Sequence, residues 1–227
     1  MIVSIIVMKT VAKRRSYDQF CAVARALDVV SERWTLLIVR NLMLGPRRYS
    51  DLMTELPGIT TNLLAARLRA MEESGLIARQ EGPPAGYELT PLGAALEPVV
   101  IELGRWGAHF MDQPRRTDTM NAGWGMLSLK RRYRGGVNAV VEFRLGERRF
   151  ELGFEEAHLH VKERAAVRPQ LTVTGALESF QAWLFKGVAP AQLQRGGQLT
   201  VDGDPAVWRA VQQAFRPNDW KGARSAA

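Results

Sequence analysis

Apolar and polar positions divide the chain into a helical first half and a mixed second half. In the first half, apolar residues recur at intervals of three and four, which is the period of an amphipathic helix. Three short helices are predicted in succession, over residues 21–30, 33–44 and 51–56. The residues of the first helix that are expected to face inward are Ala22, Ala26 and Val29.

A fourth helix has the clearest ends and lies in the stretch GITTNLLAARLRAMEESGLI, residues 58–77. Thr60 is a good N-cap, because its hydroxyl can accept a hydrogen bond from a free N–H of the first turn. Gly75 stands where a left-handed C-cap is favoured. One apolar stripe at helical spacing joins these two ends and consists of Leu64, Leu68 and Met71.

A β-hairpin is predicted after this helix. An apolar strand at 76–78 and a return strand at 87–89 flank a turn that is stiffened by Pro83-Pro84. Short helices in close succession, followed by a hairpin, predict a winged helix-turn-helix. In such motifs the second helix lies in the major groove of DNA.

The outward face of the fourth helix fits this role. Its alanines are slim enough for a groove, and its asparagine and arginines can bond base edges or the DNA backbone. The threonines and the free N–H groups of the first turn suit a phosphate. The residues expected to contact DNA are Thr60, Thr61, Asn62, Ala65, Ala66, Arg67 and Arg69. For Arg67, which lies on the flank of the apolar stripe, packing within the domain is the alternative to contact with the DNA backbone. The alternative is a small core helix with a solvated face, and the hairpin favours the DNA interpretation.

The next helix resembles one strand of a coiled coil. Thr90 is its predicted N-cap and Pro91 its first helical residue. Apolar residues then alternate spacings of four and three, which is the a/d pattern of a helix pair. These predicted dimerisation residues are Leu92, Leu96, Val99, Leu103, Trp106 and Phe110. Pro98 is expected to kink the helix. The alternative is a stripe that packs only on its own domain, but the preceding helices offer little surface to cover it.

After Asp112 the pattern changes from helical to mixed. A polar segment without an apolar stripe predicts a linker, and strict alternation from Val141 onward predicts strands. Two helices are predicted among these strands, so the second half is an α+β domain. The predicted divisions are a leader at 1–16, a winged domain at 17–112, a linker at 113–123, an α+β domain at 124–216 and a tail at 217–227.

Charge adds a candidate phosphate-contacting surface. The net charge is +8, yet residues 1–115 carry 14 Lys or Arg against 12 Asp or Glu, so overall charge does not locate a DNA site. Between Lys13 and Arg48, eight cations stand against three acids. This patch can follow phosphates, or it can be a solvated surface. The candidate DNA contacts outside the fourth helix are Arg47, Arg48, Arg79 and Gln80.

The composition and the start of the chain favour a soluble cytoplasmic protein. Hydrophobic residues make up 46% and charged residues 24% of the chain, which is typical of globular proteins. The apolar start at residues 1–8 is too short to span a bilayer, and its cations follow the apolar run, unlike those of a secretory signal. We expect a dispensable leader with Met8 as the true start, and no membrane partner.

Several motifs of the first half resemble the HxlR family of bacterial transcription regulators. They are Cys21, SERWTLLI at 31–38, GPRRYSDL at 45–52, the helix at 59–77 and YELTPLG at 87–93. The resemblance covers about residues 17–112 and implies a DNA-binding winged helix that works as a homodimer. Some members sense oxidants or electrophiles through a cysteine at the place of Cys21. The alternative for Cys21 is a small buried residue, the commonest state of a free cysteine.

The second half resembles the sterol-carrier-protein-like domain, most clearly in GQLTVDGDP at residues 197–205. The resemblance covers about residues 124–216. It implies a sheet covered by helices around an apolar tunnel that binds lipids or other apolar molecules. The candidate pocket residues are Phe180, Trp183, Leu184, Val211 and Phe215. For each of them, a place in an ordinary core is the alternative.

No catalytic or metal site is predicted. His158 and His160 share the polar face of a strand, but the sequence suggests no third ligand, so surface histidines are the simpler interpretation. No nucleophile motif, phosphate loop or paired-carboxylate motif is present. We therefore expect neither an enzyme nor a cofactor.

These patterns predict a homodimeric transcription regulator. Its first domain would bind double-stranded operator DNA, and its second would bind a small apolar ligand that modulates this binding. One alternative is a lipid-binding carrier whose winged domain mainly dimerises, and another is a redox-sensing regulator that acts through Cys21. The polar linker offers no obvious route for strain, so we expect coupling through contact of the second domain with the dimer helix.

Overall fold

The first domain is built from four helices and a hairpin. The computed structural model describes residues 16–80, 82, 85–111, 115–184 and 186–215. The elements of the first domain are α1 (Ala22–Val30), α2 (Thr35–Leu42), α3 (Tyr49–Glu55), α4 (Thr61–Glu73), β1 (Ile77–Gln80) and β2 (Gly86–Leu89). The strands pair antiparallel, and Arg47 forms a further bridge with Tyr87 at the edge of β2. This is the predicted winged helix-turn-helix.

Three predicted features lie outside the described residues. These are residues 1–15 of the leader, Pro83-Pro84 of the predicted hairpin turn, and the tail at 217–227.

The first two helices differ from the sequence prediction. Ala24 is the buried residue of α1 and Val29 is half-buried against the winged-domain core, whereas Ala22 and Ala26 are exposed, so the predicted inward face was right for Val29 and wrong for the two alanines. The α1 sequence is small or apolar on several sides, and periodicity alone cannot choose among them. Helix α2 begins at Thr35, because Trp34 takes a left-handed conformation with φ of 83° and no helix can run through it.

The predicted dimer helix is divided in two. A first turn, α5 (Pro91–Ala94), is separated by Ala95 and Leu96 from α6 (Glu97–Gly107), which ends in a 3-10 turn at Ala108–Phe110. Thr90 caps α5 as predicted, with its Oγ1 accepting from the Gly93 N–H at 3.1 Å. Pro98 lies in the first turn of α6, where its missing N–H costs no helical hydrogen bond. The break therefore comes before Pro98 and not at it.

The second domain has an α+β fold, as predicted. Its elements are α7 (Ala122–Lys130), β3 (Ala139–Leu145), β4 (Arg148–Glu155), β5 (His158–Lys162), β6 (Leu171–Gly175), α8 (Leu177–Leu184), α9 (Pro190–Arg195), β7 (Leu199–Gly203) and α10 (Pro205–Ala214). The strand order is β5-β4-β3-β6-β7; β3 and β6 are parallel, and the other neighbours are antiparallel. Alternating residues of the strands bury one face of the sheet in an apolar core.

Two helices of this domain were not predicted. Helix α7 starts inside the segment expected to be a linker, and α9 is a short element between α8 and β7. The sequence Ala-Gly-Trp-Gly at the start of α7 has no helical stripe, because α7 is buried on several sides. Within the described part of the chain, no helix is long and apolar enough to cross a membrane.

The two domains meet in a packed joint. Met43 and Leu44, which follow α2, are buried among the core residues of the second domain. The Glu163 N–H donates to the Leu44 carbonyl at 2.8 Å. Trp124 donates its Nε1 hydrogen to Asn41 Oδ1 at 2.9 Å. The end of α7 also holds α6, because Lys130 and Arg131 bond the Glu97 carboxylate and the Gly104 carbonyl of α6.

Candidate nucleic-acid interface

Helix α4 is held firmly at its beginning and along one face. Thr60 caps it, with Oγ1 accepting from the Leu63 N–H at 3.4 Å. The Tyr49 hydroxyl of α3 donates to the Thr61 carbonyl at 2.8 Å, so α3 and the first turn of α4 are tied together. The predicted stripe Leu64, Leu68 and Met71 is at most 2% exposed. Both the caps and the buried face of α4 are as predicted.

The opposite face of α4 points to solvent. Asn62, Ala66 and Arg69 are exposed at spacings of four and three, so they lie on one side of the helix. Thr61 is exposed beside them, and Ala65 is half-buried at the edge of this face. Within the part of the chain that the structure describes, Asn62 and Arg69 have no side-chain partner. Their polar groups are therefore available to a ligand.

Arg67 is engaged inside the winged domain. Its Nη2 lies 3.0 Å from Glu32 Oε2, and its side chain is only 21% exposed. The sequence left two roles open for Arg67, contact with the DNA backbone or packing. In this structure the guanidinium packs, and it links α4 to the segment before α2.

The side chains of the wing are tied to their own domain. Arg79 is exposed, pairs with Glu72 at 3.2 Å and lies 5.3 Å from the centre of the Tyr87 ring. Gln80 donates to Glu88 Oε2 at 2.9 Å. Arg79 can leave a surface ion pair at small cost, since exposed pairs contribute about 0–1 kcal/mol.

The neighbouring arginines at the start of α3 have different surroundings. Arg48 is exposed, as expected of a phosphate contact. Arg47 is only 8% exposed, and it pairs with Glu55 of α3 and with Glu163 of the second domain. The prediction that Arg47 contacts DNA is therefore wrong for this arrangement. One of its two carboxylate partners, Glu163, is 116 residues away in the sequence, and local charge counting cannot find such a partner.

The predicted dimerisation residues form an exposed apolar face, with one exception. Leu92, Val99, Leu103, Trp106 and Phe110 are between 45% and 69% exposed. Trp106 and Phe110 pack edge to face, with ring centres 4.9 Å apart. Leu96 is half-buried against the winged-domain core, because the break between α5 and α6 turns it inward. Contiguous apolar surface of this kind marks an interaction site.

Further exposed apolar residues near the start of the described chain were not predicted. They are Tyr17, Phe20, Val23, Leu27 and Leu37. In α1, Val23 and Leu27 are four residues apart, but Ala22 and Ala26 have the same spacing, so periodicity alone does not identify the exposed side.

Cys21 is exposed, so the interpretation as a buried core residue was wrong. It occupies the N-cap position of α1. The nearby backbone N–H groups of Ala24 and Val23 lower the pKa of its thiol below the ordinary value. An exposed thiol with a lowered pKa has the properties of a reactive cysteine.

The candidate pocket residues of the second domain belong to its core. Phe180, Trp183, Leu184, Val211 and Phe215 are each at most 3% exposed. The Trp183 and Trp208 rings meet edge to face at 5.2 Å, and the Phe215 ring packs on Phe154 at 5.8 Å. His158 and His160 are exposed on the outer face of β5. Among the described residues, no group of three or more potential metal ligands is present.

Comparison with known families agrees with this arrangement of domains. Residues 29–115 match the model of the HxlR-like helix-turn-helix family, and residues 128–216 match the SCP-2 sterol transfer family. The uncharacterized HTH-type transcriptional regulator YkvN of Bacillus subtilis is 36% identical over 97 residues, which span 41% of this chain and 82% of YkvN. The chain belongs to the HxlR-like helix-turn-helix family. It is an HxlR-like transcription regulator that carries an SCP-2-like second domain.

Other similar proteins match a share of this HxlR-like chain of about the same size. An uncharacterized HTH-type transcriptional regulator of Synechocystis is 35% identical over 97 residues, covering 41% of this chain and 72% of that protein. Among solved structures, the reduced form of the transcriptional regulator YodB from B. subtilis is 31% identical. It covers 43% of this chain and 100% of YodB, with a TM-score of 0.36.

Proposed function

We propose that this HxlR-like regulator binds operator DNA as a homodimer, with α4 of each protomer in the major groove. The observation that carries the proposal is the exposed face of α4, where Asn62 and Arg69 have no partner in the described chain and flank the small Ala66. An asparagine can bond adenine and an arginine can bond guanine with two hydrogen bonds each. The small side chain lets the helix approach the bases closely.

Other exposed groups supply contacts to the DNA backbone. Thr61 at the start of α4 and Arg48 at the start of α3 are both exposed and suit phosphates. Arg79 of the wing can leave its ion pair with Glu72 and contact the minor groove of DNA. These contacts fix the position of α4 but carry no sequence information.

The exposed apolar face of α5 and α6 supports the homodimer. Leu103 and Trp106 stand near the middle of this face and Phe110 at its end. A second copy of the same face would cover these side chains symmetrically, as in most homodimers. Two copies of α4 would then read half-sites about one helical turn apart.

Operator binding is tested by footprinting on the gene's own upstream region, followed by affinity measurements on the protected site. Asn62→Ala and Arg69→Ala should each reduce discrimination between the operator and a random duplex by roughly 1–3 kcal/mol. Arg48→Ala should weaken both duplexes alike and flatten the salt dependence. Arg209→Ala, which removes an exposed cation from α10, is the control and should change neither. Equal losses on both duplexes for Asn62→Ala and Arg69→Ala would remove base reading from these residues.

We also propose that an apolar ligand of the second domain modulates operator binding. The match to the SCP-2 sterol transfer family supports this proposal. A buried alkyl chain gains about 0.8 kcal/mol for each CH₂ group, which is enough for useful affinity before ordering costs. The same match supports the alternative function, a lipid carrier whose winged domain mainly dimerises. Protection of a specific DNA site in the footprinting experiment would exclude lipid carriage as the main role of the protein.

A third possibility is redox sensing, which the exposed Cys21 thiol with its lowered pKa supports. Mild oxidation should then change operator affinity in the parent chain and leave the Cys21→Ser variant unchanged. An identical response of both proteins would assign the effect to another group.

A further inference from the structure

Four charged side chains form a balanced network across the joint between the domains. The winged domain contributes Arg47 and Glu55, and the second domain contributes Arg148 and Glu163. Arg148 bonds Glu163 through two nitrogens, at 2.6 and 2.8 Å. Arg47 Nε lies 3.3 Å from Glu55, and the Arg47 Nη2 group bonds Glu163. Two positive and two negative groups, each less than a third exposed, therefore share one site.

The winged-domain half of this network lies on the elements that carry the candidate DNA interface. The Arg47 backbone exchanges two hydrogen bonds with Tyr87 of the wing, at 2.8 and 3.0 Å. Glu55 is the last residue of α3, and Tyr49 at the other end of α3 bonds the Thr61 carbonyl of α4. A group that holds Arg47 and Glu55 therefore holds the wing and α3 with respect to each other, and α3 positions the first turn of α4.

The second-domain half is anchored on the rigid sheet. Glu163 follows β5 directly, and its N–H donates to the Leu44 carbonyl across the joint. Arg148 is the first residue of β4, and its Nη1 also bonds Asn121 Oδ1 at 3.1 Å, at the cap of α7. Burial lowers the pKa of Arg148, but the bonds and charges of Glu163 and the charge of Glu55 more than offset it, so Arg148 stays charged.

We propose that Glu163 and Arg148 are positioning residues for operator binding. By holding Arg47 and Glu55, they let the docked second domain fix α3 and the wing in the arrangement that binds DNA. This inference rests on the proposed binding of operator DNA by α4. It assigns to the second domain a role in DNA binding that requires no ligand.

The direction of the effect follows from the charge balance. Neutralising Glu163 leaves Arg47 and Arg148 with the single carboxylate of Glu55, so the two arginines repel each other and the joint loosens. Neutralising Arg148 leaves Arg47 alone with two carboxylates. In either case α3 and the wing gain freedom that must be lost again on DNA, and ordering flexible segments weakens binding. Operator affinity should therefore fall.

The test uses the full-length chain with the variants Glu163→Gln, Arg148→Gln and the double variant. Glu147→Gln, which neutralises an exposed carboxylate in the turn before Arg148, is the control. The readouts are affinities for operator and random duplex, and hydrogen exchange of the segments 40–47 and 158–166, which form the joint. Each single variant should exchange faster in these segments and bind the operator about 5- to 20-fold more weakly, within the usual range of couplings between sites. The double variant restores the charge balance and should lose less than the product of the single losses.

The outcomes separate the inference from the proposed function. A parent chain that does not distinguish operator from random duplex would end the proposed function, and this inference with it. A parent chain that does distinguish them, together with single variants whose joint exchanges faster at unchanged operator affinity, would overturn the inference alone. If the network only stabilised the fold, the single variants would show faster exchange at the joint and a lower melting temperature, at unchanged operator affinity. If Glu163→Gln fails to fold, Arg148→Lys keeps the charge but loses the paired bonds, and it should shift affinity in the same direction by a smaller factor.

Discussion

A single methyl group added at Gly123 should weaken the joint between the domains. Gly123 is buried in the first turn of α7, facing the winged domain. A Cβ atom built there would lie 2.5 Å from Leu44 Cδ1 and 3.1 Å from Arg148 Nη2. The end of the Arg148 side chain can move, but Leu44 is only 1% exposed and is enclosed by the core of the second domain. The substitution Gly123→Ala therefore drives α7 against a side chain that has no free space.

The size of the effect can be worked out from these distances. Carbon atoms pack at roughly 3.5–4.0 Å, so α7 or Leu44 must shift by about 1 Å to relieve the contact. Overpacking of this kind typically destabilises a protein by about 1–3 kcal/mol. Replacing a helical glycine by alanine contributes up to about 1 kcal/mol in the opposite direction. The expected net change is a destabilisation of about 1–2 kcal/mol.

Gly125→Ala is a matched control in the same helix. A Cβ at Gly125 would meet nothing within 4 Å, so this variant has the gain in helix propensity without the contact. In thermal unfolding, a change of 1 kcal/mol shifts the midpoint by roughly 2–4 °C in a protein of this size. Gly125→Ala should melt slightly above the parent chain, and Gly123→Ala several degrees below Gly125→Ala.

Hydrogen exchange places the effect at the joint. The Glu163 amide, which donates to Leu44 across the joint, should exchange faster in Gly123→Ala and at the parent rate in Gly125→Ala. If both variants have the same unfolding midpoint and the same exchange rate of the Glu163 amide, Leu44 moves aside without a loss of stability. The joint is then not closely packed at this point.

Three other predictions concern the dimer, the thiol and the ligand. Leu103→Asp or Trp106→Asp places a charge on the exposed apolar face, so sedimentation should show a monomer or a poorly folded chain that no longer binds the operator; a well-folded dimer would move the interface elsewhere. Alkylation of Cys21 should have its pH midpoint below that of the same thiol in the unfolded chain, because backbone N–H groups stabilise the thiolate; a midpoint at or above the unfolded value contradicts this cause. Fatty acids or acyl thioesters that are first shown to bind the chain should change operator affinity roughly 5- to 150-fold at saturation, and unchanged affinity rejects them as effectors.

Local signals predicted the helix of the candidate interface well. The ends of α4 depend on a threonine hydroxyl and a glycine at positive φ, and both act within a few residues of their own position. Its inward face depends only on helical spacing. The beginning of α10 also depends on neighbouring residues, because Asp204 caps the helix and Pro205 is its first residue. Such features are written in neighbouring residues and can be found without the rest of the fold.

Features that depend on distant partners were missed. Arg47 and Arg48 look alike in the sequence, yet Glu163, more than a hundred residues later, buries one of them. Only the first two residues of α7 fell within the predicted linker, and no helix was predicted over the rest, because α7 has no apolar stripe and Gly123 makes room for Leu44. The predicted dimer helix was expected to kink at Pro98, whereas it divides before that residue, and Leu96 at the division is half-buried against the winged-domain core. In each case tertiary contact overrode the local pattern.

The joint has a cost that explains why small changes should affect it. The Asn41 Oδ1 atom accepts from Arg40 and from Trp124, but Asn41 Nδ2 is buried without a hydrogen-bond partner among the described residues. An unpaired buried donor costs about 1–3 kcal/mol. Burial against the Trp124 ring lowers the pKa of Arg40 to about 10, so its charged form is disfavoured there. The packing of Leu44 and the hydrogen bonds and ion pairs across the joint have to offset both costs. One overpacked methyl group changes the free energy by about 1–3 kcal/mol, which is the same size as the cost of an unpaired buried donor.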